Sequence, residues 1–167
     1  MSPDRHRRTV VLGYGNPGRR DDGLGPAAAA ALEARPLPDV AVEAAYQLNI
    51  EDAATLAEYG KAIFVDAAVS GPEPYELRPI APASTIAFTS HSMDPASVLA
   101  ICEESFCPAP EAWVLAIRGY DFALGEGLTP RAEENLNAAL DAVRALLQVK
   151  EDRTHGCRTA HKNHTDH

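Results

Sequence analysis

Three polar features of this chain could carry chemistry. The first is the run Gly13-Tyr14-Gly15-Asn16-Pro17-Gly18-Arg19-Arg20-Asp21-Asp22-Gly23, which sets two adjacent carboxylates behind a glycine-rich loop. The second is Asp66, which ends the apolar run Ala62-Ile63-Phe64-Val65. The third is His91, in Thr89-Ser90-His91-Ser92, directly after Ile86-Ala87-Phe88. Asp22, Asp66 and His91 together would make an oxygen, oxygen, nitrogen donor set. Two carboxylates brought close repel each other unless a cation lies between them. Such a set suits a borderline divalent metal, held loosely and with coordination positions left open. Each residue also has a plainer reading. The glycine loop could be a tight turn with an acidic helix cap. Asp66 could cap a turn, and His91 could be an ordinary surface histidine.

The first run also contains Gly13-x-Gly15-x-x-Gly18, the formal pattern of a dinucleotide loop. The acids that follow argue against it. Asp21 and Asp22 stand where a helix N-terminus would receive a pyrophosphate, and two carboxylates there would repel it.

The elements around these residues place them on one side of a layered fold. Thr9–Gly13 reads as a short buried strand, and Pro26 suits the first turn of a helix that continues through Ala27–Arg35. Val40–Tyr46 reads as a second strand and Glu51–Tyr59 as a short helix with Asn49 as N-cap. Ala62–Ala67 is a third strand. Glu73–Ile80 is an outer one, because its prolines suit an edge. Asp94-Pro95 opens a helix that reaches Cys102–Glu104, and Trp113–Ile117 is the last strand. Thr129-Pro130 caps a final helix whose apolar face is Leu136, Leu140, Val143 and Leu147. Strands alternating with helices indicate an α/β fold with a largely parallel sheet covered on both faces. In such sheets ligands bind outside the carboxyl ends of the strands, where all three polar features fall.

The chain has 167 residues and suits a single domain, expected over 1–149. Residues 150–167 hold four of the six histidines and almost no apolar residues, so a disordered His-rich tail is expected there. With 24 acidic residues against 15 basic, the net charge of −9 disfavours a nucleic-acid partner. No run of about 18 apolar residues exists, and the basic N-terminus lacks the apolar core of a signal peptide, so a cytoplasmic location is expected. The three cysteines form no CxxC pair, which disfavours structural zinc or a disulfide scaffold.

Gly13–Gly25 with its paired acids, then Phe64-Val65-Asp66-Ala67 and Ser90-His91, resembles the nickel–iron hydrogenase maturation endopeptidases. The likeness runs from about Arg8 to Leu147. It implies a three-layer α/β/α sandwich with a mainly parallel five-stranded sheet. It also implies an activity: removal of a C-terminal peptide from the precursor of a hydrogenase large subunit, once nickel has been delivered to that precursor. The family's metal-contacting residues match Asp22, Asp66 and His91. Nickel would then arrive with the substrate rather than reside in the enzyme. Many members carry Glu where Asp22 stands. The Gly/Asp-rich segment some show after the second strand is replaced here by Tyr46-Gln47-Leu48-Asn49.

No serine, cysteine or threonine nucleophile is indicated. Cys102 and Cys107 fall in the third expected helix and the loop after it. Two rivals follow from the same residues. Gly15-Asn16-Pro17-Gly18 also resembles the opening motif of peptidyl-tRNA hydrolases, but the histidine expected soon after it is missing. A nickel carrier without peptidase activity could use the three residues together with His155, His161, His164 and His167.

Overall fold

The computed structural model describes residues 4–85, 93–106 and 108–155. Five strands, β1 (Thr9–Tyr14), β2 (Val40–Ala45), β3 (Lys61–Ala68), β4 (Tyr75–Ile80) and β5 (Glu111–Arg118), form one sheet in the order β2-β1-β3-β5-β4. All pairings are parallel except β4 with β5. The antiparallel strand lies at the edge, where Pro79 removes one amide donor without breaking an inner ladder.

Four helices cover the sheet: α1 (Leu24–Ala34), α2 (Asp52–Leu56), α3 (Pro95–Ser105) and α4 (Pro130–His155). Strand alternation divides the core in two. Val10, Leu12, Ala62, Phe64 and Val114 point to one face and pack with Leu56 of α2 and Val98, Leu99 and Cys102 of α3. Val11, Ile63, Val65, Leu115 and Ile117 point to the other and pack with Leu24 and Leu32 of α1 and Ala139 and Val143 of α4. The result is the α/β/α sandwich expected above.

Local chemistry explains most element ends. Asp94 accepts the Ser97 N–H at 2.7 Å and so caps α3, with Pro95 in its first turn. The Thr129 hydroxyl accepts the Ala132 N–H at 3.3 Å at the start of α4. Asn49 is not the cap of α2. Instead the Asp52 carboxylate reaches back to accept the Asn49 N–H at 2.7 Å, and the helix ends at Leu56 rather than Tyr59. Helix α4 continues past Leu147 to His155; residues 156–167, with most of the expected tail, lie outside the described residues. Among the described residues, no helix is long and apolar enough to cross a membrane.

The chain leaves β1, packs α1 beneath the sheet and returns as β2 on one side of β1. It then crosses over through α2 to enter β3 on the other side. The crevice between the carboxyl ends of β1 and β3 is therefore the topological switch point, where ligands of open α/β sheets bind.

Candidate active site

The glycine run between β1 and α1 is shaped by close packing rather than by a ligand. A methyl group on Gly13 would lie 2.2 Å from the Gly25 carbonyl oxygen, and one on Gly15, whose φ is +143°, would lie 2.0 Å from that of Asp22. A methyl on Gly25 would lie 2.3 Å from the Tyr14 carbonyl oxygen and 2.6 Å from that of Val65. These positions lack side chains so that the Arg20–Gly23 turn and the start of α1 can rest directly on β1 and β3.

The loop's amides are also spoken for. Gly15 donates to the Ala45 carbonyl, Asn16 to Asp22 Oδ2, and Gly18 to Asn16 Oδ1. Arg19, Arg20, Asp21 and Asp22 donate to the carbonyls of Asn16, Gly125, Asp121 and Arg19. No cradle of open N–H groups remains for a phosphate, which removes the dinucleotide reading.

The two adjacent acids part company. Asp21 is fully buried. Its Oδ1 accepts the Thr129 N–H at 2.8 Å. Its Oδ2 accepts the N–H groups of Tyr120 and Asp121 at 2.8 and 3.1 Å and the Thr129 hydroxyl at 2.8 Å. Burial pushes its carboxyl up, but these donors outweigh burial and hold it below the ordinary carboxylate range. Asp21 thus ties the Arg20–Gly23 turn to the segment between β5 and α4. The sequence reading assigned it no such task. The signal available was only its place beside Asp22, because its partners lie about a hundred residues further along the chain.

Asp22, one residue on, turns to the other side. Its Oδ2 accepts the Asn16 N–H at 2.8 Å, which holds the carboxylate over the loop. Neither acid caps α1, whose N-cap is Gly23 and carries no side-chain bond.

Asp66 lies in the row of Ala62 and Phe64 on β3, facing the α2 and α3 layer, and is half-buried. Its Oδ1 accepts the N–H of Ala67 at 2.8 Å. Burial pushes its carboxyl up to about 6; the Ala67 hydrogen bond opposes this, and the charge of Asp22 adds to it. The charge of Asp22 felt at Asp66 is the electrostatic sign that the two acids share one site. Both line a cleft of about 550 Å³ at the switch point. Tyr14 and Gly15 close it on the β1 side, Tyr46, Gln47 and Leu48 on the β2 side, and Met93, Asp94 and Pro95 at the start of α3.

The structure therefore brings Asp22 and Asp66 together, as expected, at the ends of β1 and β3. His91, with the Ile86–Ser92 stretch, lies outside the described residues. Among the described residues no group of three or more His, Cys, Asp or Glu side chains could hold a metal ion. Two carboxylates lining one cleft gain from a bound cation between them. Of the cysteines, Cys102 is buried within α3 and Cys107 lies outside the described residues.

No protein-family model and no curated protein matches the chain. Solved structures do. It is similar to the hydrogenase maturating endopeptidase HybD of Escherichia coli, at 23% identity over 86% of this chain and 93% of that one, with a TM-score of 0.71. It is also similar to the [NiFe] hydrogenase maturation protease HycI of Thermococcus kodakarensis, at 21% identity over 85% and 93% of the two chains, with a TM-score of 0.67. A third, an endopeptidase from Escherichia coli in solution, shares 26% identity over 86% and 93%, with a TM-score of 0.66. The chain has the fold of the hydrogenase maturation proteases.

Proposed function

We propose that this protein is an endopeptidase that removes a C-terminal peptide from the precursor of a nickel–iron hydrogenase large subunit. The observation that carries the reading is the pairing of Asp22 with a half-buried Asp66, whose carboxyl is pushed up to about 6, in the cleft at the β1/β3 switch point. The fold shared with maturation proteases supports it.

In this reading the nickel ion belongs to the substrate. Asp22 and Asp66 grip it from two sides of the crevice, and His91, on the sequence resemblance, supplies the nitrogen ligand. A cation between the acids relieves their repulsion and holds Asp66 in its ionised form. The grip fixes the precursor's tail in the cleft and holds the bond to be cut near the site. Cleavage then waits on metal loading, because without the ion the acids repel each other and bind the precursor weakly.

The direct test incubates the protein with nickel-loaded precursor and follows the precursor's mass. The wild type should shorten it, and Asp66→Asn should abolish shortening while leaving the fold intact. Full processing by Asp66→Asn, or equal processing of metal-free precursor by the wild type, would overturn the reading. Persistent failure of the wild type to shorten the loaded precursor would do the same.

A further inference from the structure

The cleft contains one well-placed donor that the metal grip leaves unused. Strand alternation puts Tyr14 in the row of Val10 and Leu12, facing the α2 and α3 layer, with its ring packed on the core beneath. In the β1/β3 ladder Gly13 pairs with Val65, so Tyr14 stands at the next rung beside Asp66, on the same face of the sheet. Tyr14 is among the residues that line the cleft. Burial chiefly, and then the charges of Asp66 and Asp94, push the phenol up against the opposing charge of Arg78. A phenol is neutral near pH 7 and carries an O–H that can donate.

Among the described side chains that line the cleft, Tyr14 is the donor seated on the core, and the other two sit on the rim. Ionised Asp22, Asp66 and Asp94 only accept hydrogen bonds. Gln47 and Tyr46 are exposed on the rim, Tyr46 to 75%. Leu48, Met93 and Pro95 have no side-chain donor that could serve. A peptide lying in a cleft lined by acids finds acceptors for its N–H groups, but its carbonyl oxygens need a donor.

Resting on the peptidase reading above, we propose that the Tyr14 hydroxyl donates a hydrogen bond to the carbonyl oxygen of the bond that is cut. During hydrolysis that oxygen gains negative charge as water adds to the carbonyl carbon. As the C–N bond breaks the oxygen's electron pair re-forms the carbonyl, and the leaving amine takes the proton that the attacking water gave up. Tyr14 neither gives up nor gains a proton. It holds the oxygen, and its bond strengthens as charge develops there, so its effect belongs to the rate rather than to substrate binding.

The test is Tyr14→Phe in the full chain with nickel-loaded precursor. Phe keeps the ring against the core and removes only the hydroxyl. We expect kcat to fall about 100-fold with KM within about 3-fold of wild type, and the melting temperature to stay within about 3 °C. A kcat within about 2-fold of wild type overturns the inference while leaving the peptidase reading standing. A fall in melting temperature of about 10 °C or more shows the hydroxyl to be structural and also overturns it. A wild type that does not cleave overturns the peptidase reading and this inference with it. Replacing Tyr14 by 3-fluorotyrosine retains both ring and donor and should retain kcat; its loss would overturn the role assigned to the hydroxyl.

Discussion

Asp21 and Asp66 are both carboxylates withdrawn from water, and the protein treats them in opposite ways. Asp21 is surrounded by donors from the segment between β5 and α4, and its charge is a structural asset. Asp66 is given a hydrogen bond from Ala67 and a like-charged neighbour in Asp22, and its charge is a liability until something arrives to offset it. Asp21, on the Arg20–Gly23 turn, is fully bonded, whereas Asp66, at the end of β3, faces a like charge across the cleft. The difference separates an acid that holds the turn from an acid that, in the proposed function, takes the ligand.

The signs of their pH dependence follow. The Asp21 carboxyl is held below its unfolded value, so its stabilisation is present above that value, near pH 4, and is lost as the pH falls through the folded value. The Asp66 carboxyl is raised from 3.8 to about 6, so the folded state holds its proton longer. Its favourable contribution is present below about pH 4 and disappears as the pH rises through 6.

The sharpest way to break the contrast is Asp21→Asn. Whichever way the amide is turned, its NH₂ meets N–H groups already aimed at the carboxylate. We expect a loss of about 4 kcal/mol in urea unfolding at pH 7, together with a flatter acid limb of the stability profile. A loss below about 1 kcal/mol would mean that Asp21 does not organise the turn. Asp66→Asn should move stability the other way, with a gain of about 2 kcal/mol at pH 8 that vanishes by about pH 4. Full conversion of the shift would suggest roughly 3 kcal/mol, reduced here because Asp66 is partly open to solvent. A variant no more stable than wild type at pH 8 would show that Asp66 is not held under electrostatic strain. The smallest effect belongs to Thr129→Val, which removes one of Asp21's four donors and the side-chain cap of α4. About 1 kcal/mol should be lost, with the acid limb preserved.

The architecture was legible because it rests on local signals. Apolar runs bounded by Gly, Pro and Asp locate all five strands and all four helices, and the ends of β1 and β3 present Asp22 and Asp66 to one crevice. The misses come from side chains whose partners are remote in sequence. Asp21 is indistinguishable from Asp22 until the segment between β5 and α4 folds over it. Asn49 has the composition of a cap, but Asp52 competes for the role by bonding Asn49 itself. Tyr14 reads as part of a glycine motif. Only the register of β1 against β3 sets it beside Asp66. The glycines match the formal nucleotide pattern that the paired acids already argued against, and the space above Gly13, Gly15 and Gly25 is filled by the chain's own carbonyls.

That packing leaves the crevice with one stiff wall. Around Gly13, Gly15 and Gly25 backbone rests on backbone with no side chain between to flex, so the turn bearing Asp22 moves only with the sheet as a whole. The opposite bank is built from Tyr46–Leu48, which follows β2, and Met93–Pro95, which leads into α3. In the proposed reaction, differences in client shape fall to that bank, while the turn bearing Asp22 keeps its place against the sheet.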